Sequence, residues 1–133
     1  RRWLAFNGGL GKDQLDWFEK QLQSARERNE RVVVVSHVPF EPKACADILD
    51  LAWDYDCAQE VISRFSDTVF ACFFGHDHDG NSYFDVDANI LYVTFKAVLE
   101  TNPGSNAYAI CDLFEDRLKF DGFGEIHSFV VKF

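Results

Sequence analysis

Two short runs, "RVVVV" at 31–35 and "TVFACFF" at 68–74, constrain this chain more than any other feature. Each is an unbroken series rich in β-branched or aromatic residues, too short for a typical helix and lacking the alternation of a half-exposed strand. Runs of this kind form strands covered on both faces, in a sheet held between two layers. Each empties directly into a polar bend that carries histidine, "SHVP" at 36–39 and "GHDHDGN" at 75–81. Pro39 withholds a ladder donor, which places His37 at the C-terminal tip of its strand. In open α/β sheets ligands collect just beyond the carboxyl ends of strands, so His37, His76 and His78 are the first candidates for a site.

The remaining chain supplies the layers. Leu15, Phe18, Leu22 and Ala25 recur at helical spacing from Lys12 to about Asn29, with Trp17 widening the stripe, and predict an amphipathic helix lying on the sheet. Gly11 stands at its expected N-cap and Gln14 within reach of the first free amides. Asp56 with Gln59 resembles a capping box opening a second helix to about Phe65, with Val61, Ile62 and Phe65 facing inward. Between His37 and that helix, residues 41–55 read as a long excursion over the surface or over a site. Farther on, "YFDVDANILYVTF" and "AYAICDLFEDRLKF" alternate around turns near Asp87–Asn89 and Phe114–Arg117, the pattern of antiparallel hairpins. The expected fold class is α/β: a β-sandwich of mixed sheets flanked by helices, forming one unit over residues 1–133 without repeat or linker.

Composition narrows the function classes. With 47% hydrophobic residues the 133-residue chain has ample material for a core. A net charge of −9, with no run of Lys and Arg, opposes nucleic acid as the main partner. The apolar stretches are too short to cross a bilayer, so a membrane role is not expected. Cys45, Cys57, Cys72 and Cys111 stand apart with no C-x-x-C pair, which favours reduced thiols and a cytoplasmic setting over a zinc ribbon or disulfide framework. The opening "RRWLAF" reads like the interior of a fold, as though the chain began partway through a larger protein, where an upstream targeting signal would lie out of view.

The histidines carry the chemistry. Neutral imidazole is the commonest nitrogen ligand of divalent transition metals, and it must be held on a rigid backbone for several lone pairs to converge. Gly75 and Gly80 bracket the H-x-H pair and allow sharp bends. Such a pair also occurs in ordinary polar loops, and His37 alone also reads as a strand-end ring bonded to backbone. Three histidines at strand tips favour a metal site and invite comparison with a zinc centre of three imidazoles and an open water position, while spacing leaves open whether one ion takes all three. Asp77 and Asp79 flank the pair and are placed either to orient the imidazoles or to solvate the loop. His127 lacks suggestive neighbours and reads as structural. "NGGLGK" at 7–12 offers amides before a helix, although loop punctuation explains it more simply.

"VVVVSHVPF" followed by "FFGHDHDG" resembles the C-terminal half of the calcineurin-like metallophosphoesterases. "FNGGLGKDQLDWFEKQL", "LAWDYDCAQEVI" and "YVTFKAVLETNPGSNAYA" narrow the resemblance to their manganese-dependent ADP-ribose/CDP-alcohol diphosphatase branch. The resemblance implies two divalent metal ions, manganese first with iron or zinc as alternatives. It also implies a nucleoside diphosphate-linked small molecule as substrate and a metal-activated hydroxide as nucleophile. His37 and His76 would bind one metal and His78 the other, while Trp53 and Tyr55 are candidates to stack on a base. The superfamily's earlier motifs, Asp-x-His, Gly-Asp-x-x-Asp and Gly-Asn-His, do not occur here. The catalytic residues and bridging aspartate are therefore expected in an absent N-terminal half, either joined to this half or met through its exposed sheet edges, which also invite self-association. Two neighbouring cations need an anionic bridge that neutral imidazoles cannot provide, so the isolated chain is expected to be inactive. A degenerate, non-catalytic metal- or nucleotide-binding module is the alternative reading.

Overall fold

The sheet demanded by the two apolar runs lies at the centre of a computed structural model that describes residues 3–133. Arg1 and Arg2, part of the opening stretch read above as fold interior, lie outside the described residues. In order, the elements are α1 (Gly11–Glu27), β1 (Val32–Val35), α2 (Tyr55–Arg64), β2 (Val69–Phe74), β3 (Asn81–Asp85), β4 (Ile90–Thr94), β5 (Ala107–Leu113), β6 (Arg117–Gly124) and β7 (Phe129–Lys132). The first sheet runs β1-β2-β4-β3, with β1, β2 and β4 parallel and β3 returning antiparallel in a hairpin. The second is an antiparallel β5-β6-β7 meander. Two sheets and two helices form the mixed α/β sandwich expected.

The first sheet carries a core on each face. Cys72, Phe74, Ile90 and Tyr92 meet Phe18 and Leu22 of α1 and Val61 and Ile62 of α2. On the opposite face Ala71, Leu91 and Val93 meet Leu118, Phe120 and Val131 of the second sheet. Each large apolar side chain removed from water in these layers contributes about 1.5–3 kcal/mol before entropy is counted. Strand β2 is therefore covered on both sides, as its sequence requires.

Strand β1 is not. It stands at the edge of the sheet, and Val33 and Val35 are 37% and 75% exposed. Both pair in register with Ala71 and Phe73 on the face that meets the second sheet, yet that sheet does not reach them. The expectation of coverage on both faces fails here because only the helix side is packed, with Val34 buried and Val32 partly so. The aromatic residues of the opening stretch are also outside the core, with Trp3 and Phe6 largely exposed.

Helix α1 is capped differently from the expectation. Neither Gly11 nor Gln14 supplies the cap; the Leu10 and Gly11 amides donate to the Asp54 carboxylate at 2.9 and 2.7 Å. A carboxylate against free amides at a helix N-terminus is favourable through both hydrogen bonding and the helix dipole. Two of the amides of "NGGLGK" that could have met a phosphate are thus occupied by a side chain 43 or more residues away. Asp54 also precedes α2, whose Gln59 donates to the Phe40 carbonyl instead of forming a capping box.

The excursion over 41–55 folds inward. It contains short 3-10 turns at Pro42–Ala44 and Ile48–Asp50 and buries Ala44, Cys45, Leu51 and Ala52. Its C-terminal end is tied to the body by the Ala52 amide donating to the Pro39 carbonyl and the Trp53 amide to the Gly8 carbonyl.

Candidate metal half-site at the strand tips

Strands β1 and β2 are parallel neighbours, so His37 and His76 emerge side by side. The ladder continues past both strand ends, with Ser36 donating to Phe73 and Gly75 to the His37 carbonyl, each at 3.0 Å. The two imidazoles lie edge to face, their centroids 5.3 Å apart. Gly75 eases this approach: a Cβ there would stand 3.3 Å from His37 Nδ1, so the ring would have to give by a few tenths of an ångström. His37 is exposed and His76 half-buried.

His76 has a φ of +68°, a left-handed conformation uncommon for a residue with a side chain. Strain of this kind costs on the order of 1–3 kcal/mol and persists only where the surroundings enforce it. Asp77 provides much of that enforcement. Its carboxylate is 2% exposed and accepts from five donors. Oδ2 takes the Ala46 amide at 2.5 Å, the Cys45 thiol at 3.2 Å and the Asp47 amide at 3.3 Å. Oδ1 takes the Asp79 and Gly80 amides at 3.1 and 3.4 Å. Burial pushes the Asp77 pKa up, but the Cys45 thiol and the Ala46, Asp47 and Gly80 amides together hold it below the ordinary aspartate value. Asp77 thus clamps the bend between the two histidines to the excursion, through backbone and thiol. Asp79 is exposed and joins this clamp through its amide.

His78 is exposed and approaches Glu100, which sits on a 3-10 turn (Val98–Glu100); Nδ1 lies 3.5 Å from Oε1. Of the three candidate histidines, the structure sets His37 and His76 ring against ring. Tyr55 opens α2 and packs against the helix-side core, while the Trp53 indole donates to the Leu4 carbonyl at 3.1 Å and meets Trp3 edge-on. His127 is exposed on the loop before β7.

Two neighbours of the histidines carried no sequence signal. Asn7 is buried, with Oδ1 2.7 Å from His76 Nε2. Asp50, in the excursion, has its pKa raised by burial first and then by the Asp77 charge, with His76 and His78 opposing the shift. A lone asparagine in "FNGG" and one aspartate among many show no period or motif; only the folding of distant segments brings them to the site.

The imidazole pair suits two corners of a divalent metal ion's coordination shell. Among the described residues, however, no group of three or more His, Cys, Asp or Glu side chains is placed to hold a metal. The described residues therefore do not complete either a dinuclear centre or a three-histidine zinc site.

In fold the chain is similar to part of a dimetal phosphatase. A solved dimetal phosphatase from Danio rerio superposes with a TM-score of 0.92 at 34% identity, over 98% of this chain and 41% of that one. In sequence the chain is homologous to proteins named manganese-dependent ADP-ribose/CDP-alcohol diphosphatase. The protein of that name from Oryza sativa subsp. japonica is 37% identical over 122 residues, covering 92% of this chain and 37% of its own length. That from Danio rerio is 35% identical over 133 residues, covering all of this chain and 40% of its own length. No family model matches the chain. The chain thus spans about two fifths of the length of the curated relatives it matches.

Proposed function

We propose that this chain is the C-terminal, imidazole-bearing portion of a metal-dependent diphosphatase acting on nucleoside diphosphate-linked small molecules such as ADP-ribose or CDP-alcohols. The observation that carries this reading is the abutting His37 and His76 pair at adjacent parallel strand tips, braced but without a completed ligand set. His37 and His76 serve one of two metal ions, manganese by preference, and His78 the other. Asp77, with Asp79, keeps the bend between them in place, and Trp53 and Tyr55 are the aromatic candidates for a nucleoside base. The bridging carboxylate and the remaining ligands come from a completing polypeptide segment. Strand β1 is its docking edge, since Val33 and Val35 there remain exposed and the chain accounts for only about two fifths of its relatives' length.

The test is a chimera in which this chain replaces the matching two fifths of the Danio rerio relative, assayed beside the isolated chain with Mn²⁺ and ADP-ribose. The chimera hydrolyses ADP-ribose and loses at least 100-fold in kcat/KM on His37→Ala or His76→Ala, a loss expected when a metal ligand is removed (~3 kcal/mol or more). The isolated chain stays at background. Near-parental turnover by the isolated chain, or a folded chimera whose activity ignores both substitutions, defeats the reading.

A further inference from the structure

Asn7 is a buried polar residue that the half-site as described does not use. Its side chain meets three groups from two distant parts of the chain, the excursion and the histidine bend. Nδ2 donates to the Leu49 carbonyl at 2.5 Å and to the Leu51 carbonyl at 2.9 Å, which occupies both amide hydrogens. Oδ1 is left facing His76 Nε2 at 2.7 Å.

The amide cannot be turned over. A flip would set its oxygen against two carbonyl oxygens and its NH₂ against the ring, leaving two acceptors without donors in a site where Asn7 is 6% exposed. With the oxygen toward the ring, only one protonation pattern satisfies the contact. An amide oxygen has no hydrogen to donate, so Nε2 must carry the proton. A neutral imidazole has a single N–H, so its Nδ1 then keeps the lone pair. His76 is also held by its neighbours, with Gly75 tied to His37 and Asp77 clamped on the other side.

We propose that Asn7 is the positioning residue that fixes His76 in its Nε2–H tautomer, so that Nδ1 is the nitrogen this half-site presents to a metal ion. The last clause rests on the reading of His76 as a metal ligand; the tautomer assignment does not. Asn7 acts as the outer partner that orients a ligating histidine, a role more often filled by a carboxylate or backbone carbonyl.

Long-range ¹H–¹⁵N correlation on the ¹⁵N-labelled full chain, at a pH where imidazoles are neutral, reads the tautomer directly. Wild-type His76 shows the Nε2–H pattern. Asn7→Leu moves it to the Nδ1–H form or a mixture. A wild-type His76 in the Nδ1–H form overturns the proposal without any variant, so misfolding of a variant cannot shelter it. An unchanged Nε2–H pattern in folded Asn7→Leu equally overturns it. On adding Zn²⁺ to the metal-free chimera described above, whose ligand set is completed, the Nδ1 resonance of His76 shifts and Nε2 keeps its proton; a shift at Nε2 with loss of its proton contradicts the proposal. If Zn²⁺ moves neither nitrogen, the metal-ligand reading of His76 fails with the last clause, while the tautomer assignment stands.

Discussion

Strands β1 and β2 begin from the same kind of sequence and end in different surroundings. In β2 nearly every residue is buried, the helices covering one face and the second sheet the other. In β1, one strand away, only Val34 is fully buried and Val35 is 75% exposed. An unbroken β-branched run therefore reports the surfaces a strand is suited to cover, not the surfaces this chain covers. The histidine tips lie where these two strands end. Their backbone is fully braced from within the chain, while their ligand set is not completed by the described residues.

The largest test of this contrast is Phe70→Ala. Phe70 is 2% exposed in β2 and packs on Phe133, so its removal costs about 3–5 kcal/mol through lost burial and a residual cavity. Urea denaturation of the chain measures it, and a loss below about 1 kcal/mol would mean that β2 is not the doubly covered strand described.

Asp77→Ala is expected to cost somewhat less, about 2–3 kcal/mol, since it strips an acceptor from buried donors in both the bend and the excursion. Thiol labelling gives a second readout. Burial, followed by the Asp77 carboxylate, pushes the Cys45 thiol pKa far up, and burial does the same at Cys72. In the native wild type only the exposed Cys57 and Cys111 are open to the labelling reagent. In Asp77→Ala, Cys45 becomes a third reactive thiol; if it stays protected, the clamp does not hold the excursion to the bend.

The smallest effect belongs to β1. Val35→Thr changes stability by less than about 0.5 kcal/mol in the isolated chain, because no packing is lost. In the chimera with the relative's remaining portion the same change costs more, as the side chain becomes covered. Equal costs in both contexts would remove β1 as the docking edge.

Much of the framework was legible before any coordinates. The strand runs, the hairpin alternation, the amphipathic stripe Phe18–Leu22–Ala25 and the positions of His37 and His76 at strand tips are local patterns, and period 2 and period 3.6 survive in one dimension. The cap of α1 was misread, because Asp54 reaches Leu10 and Gly11 from a segment more than forty residues away. Gly75 was read as freedom to bend, whereas its lack of a Cβ matters for the His37 ring. Two residues of the bend are left-handed, His76 at φ +68° and Gly80 at φ +63°, so the conformational freedom expected of glycine is used at Gly80 and not at Gly75.

By itself the sequence determined which segments become strands and helices and that two of its histidines stand at strand ends, because backbone preference and apolar period are properties of neighbours along the chain. Tertiary structure alone decided that His37 and His76 touch, that His78 turns to Glu100, that Asn7 and Asp50 join them, and that Val35 is left bare. Each of these depends on which distant segments pack together, and close packing is a property of the space between segments, not of the order of residues within them.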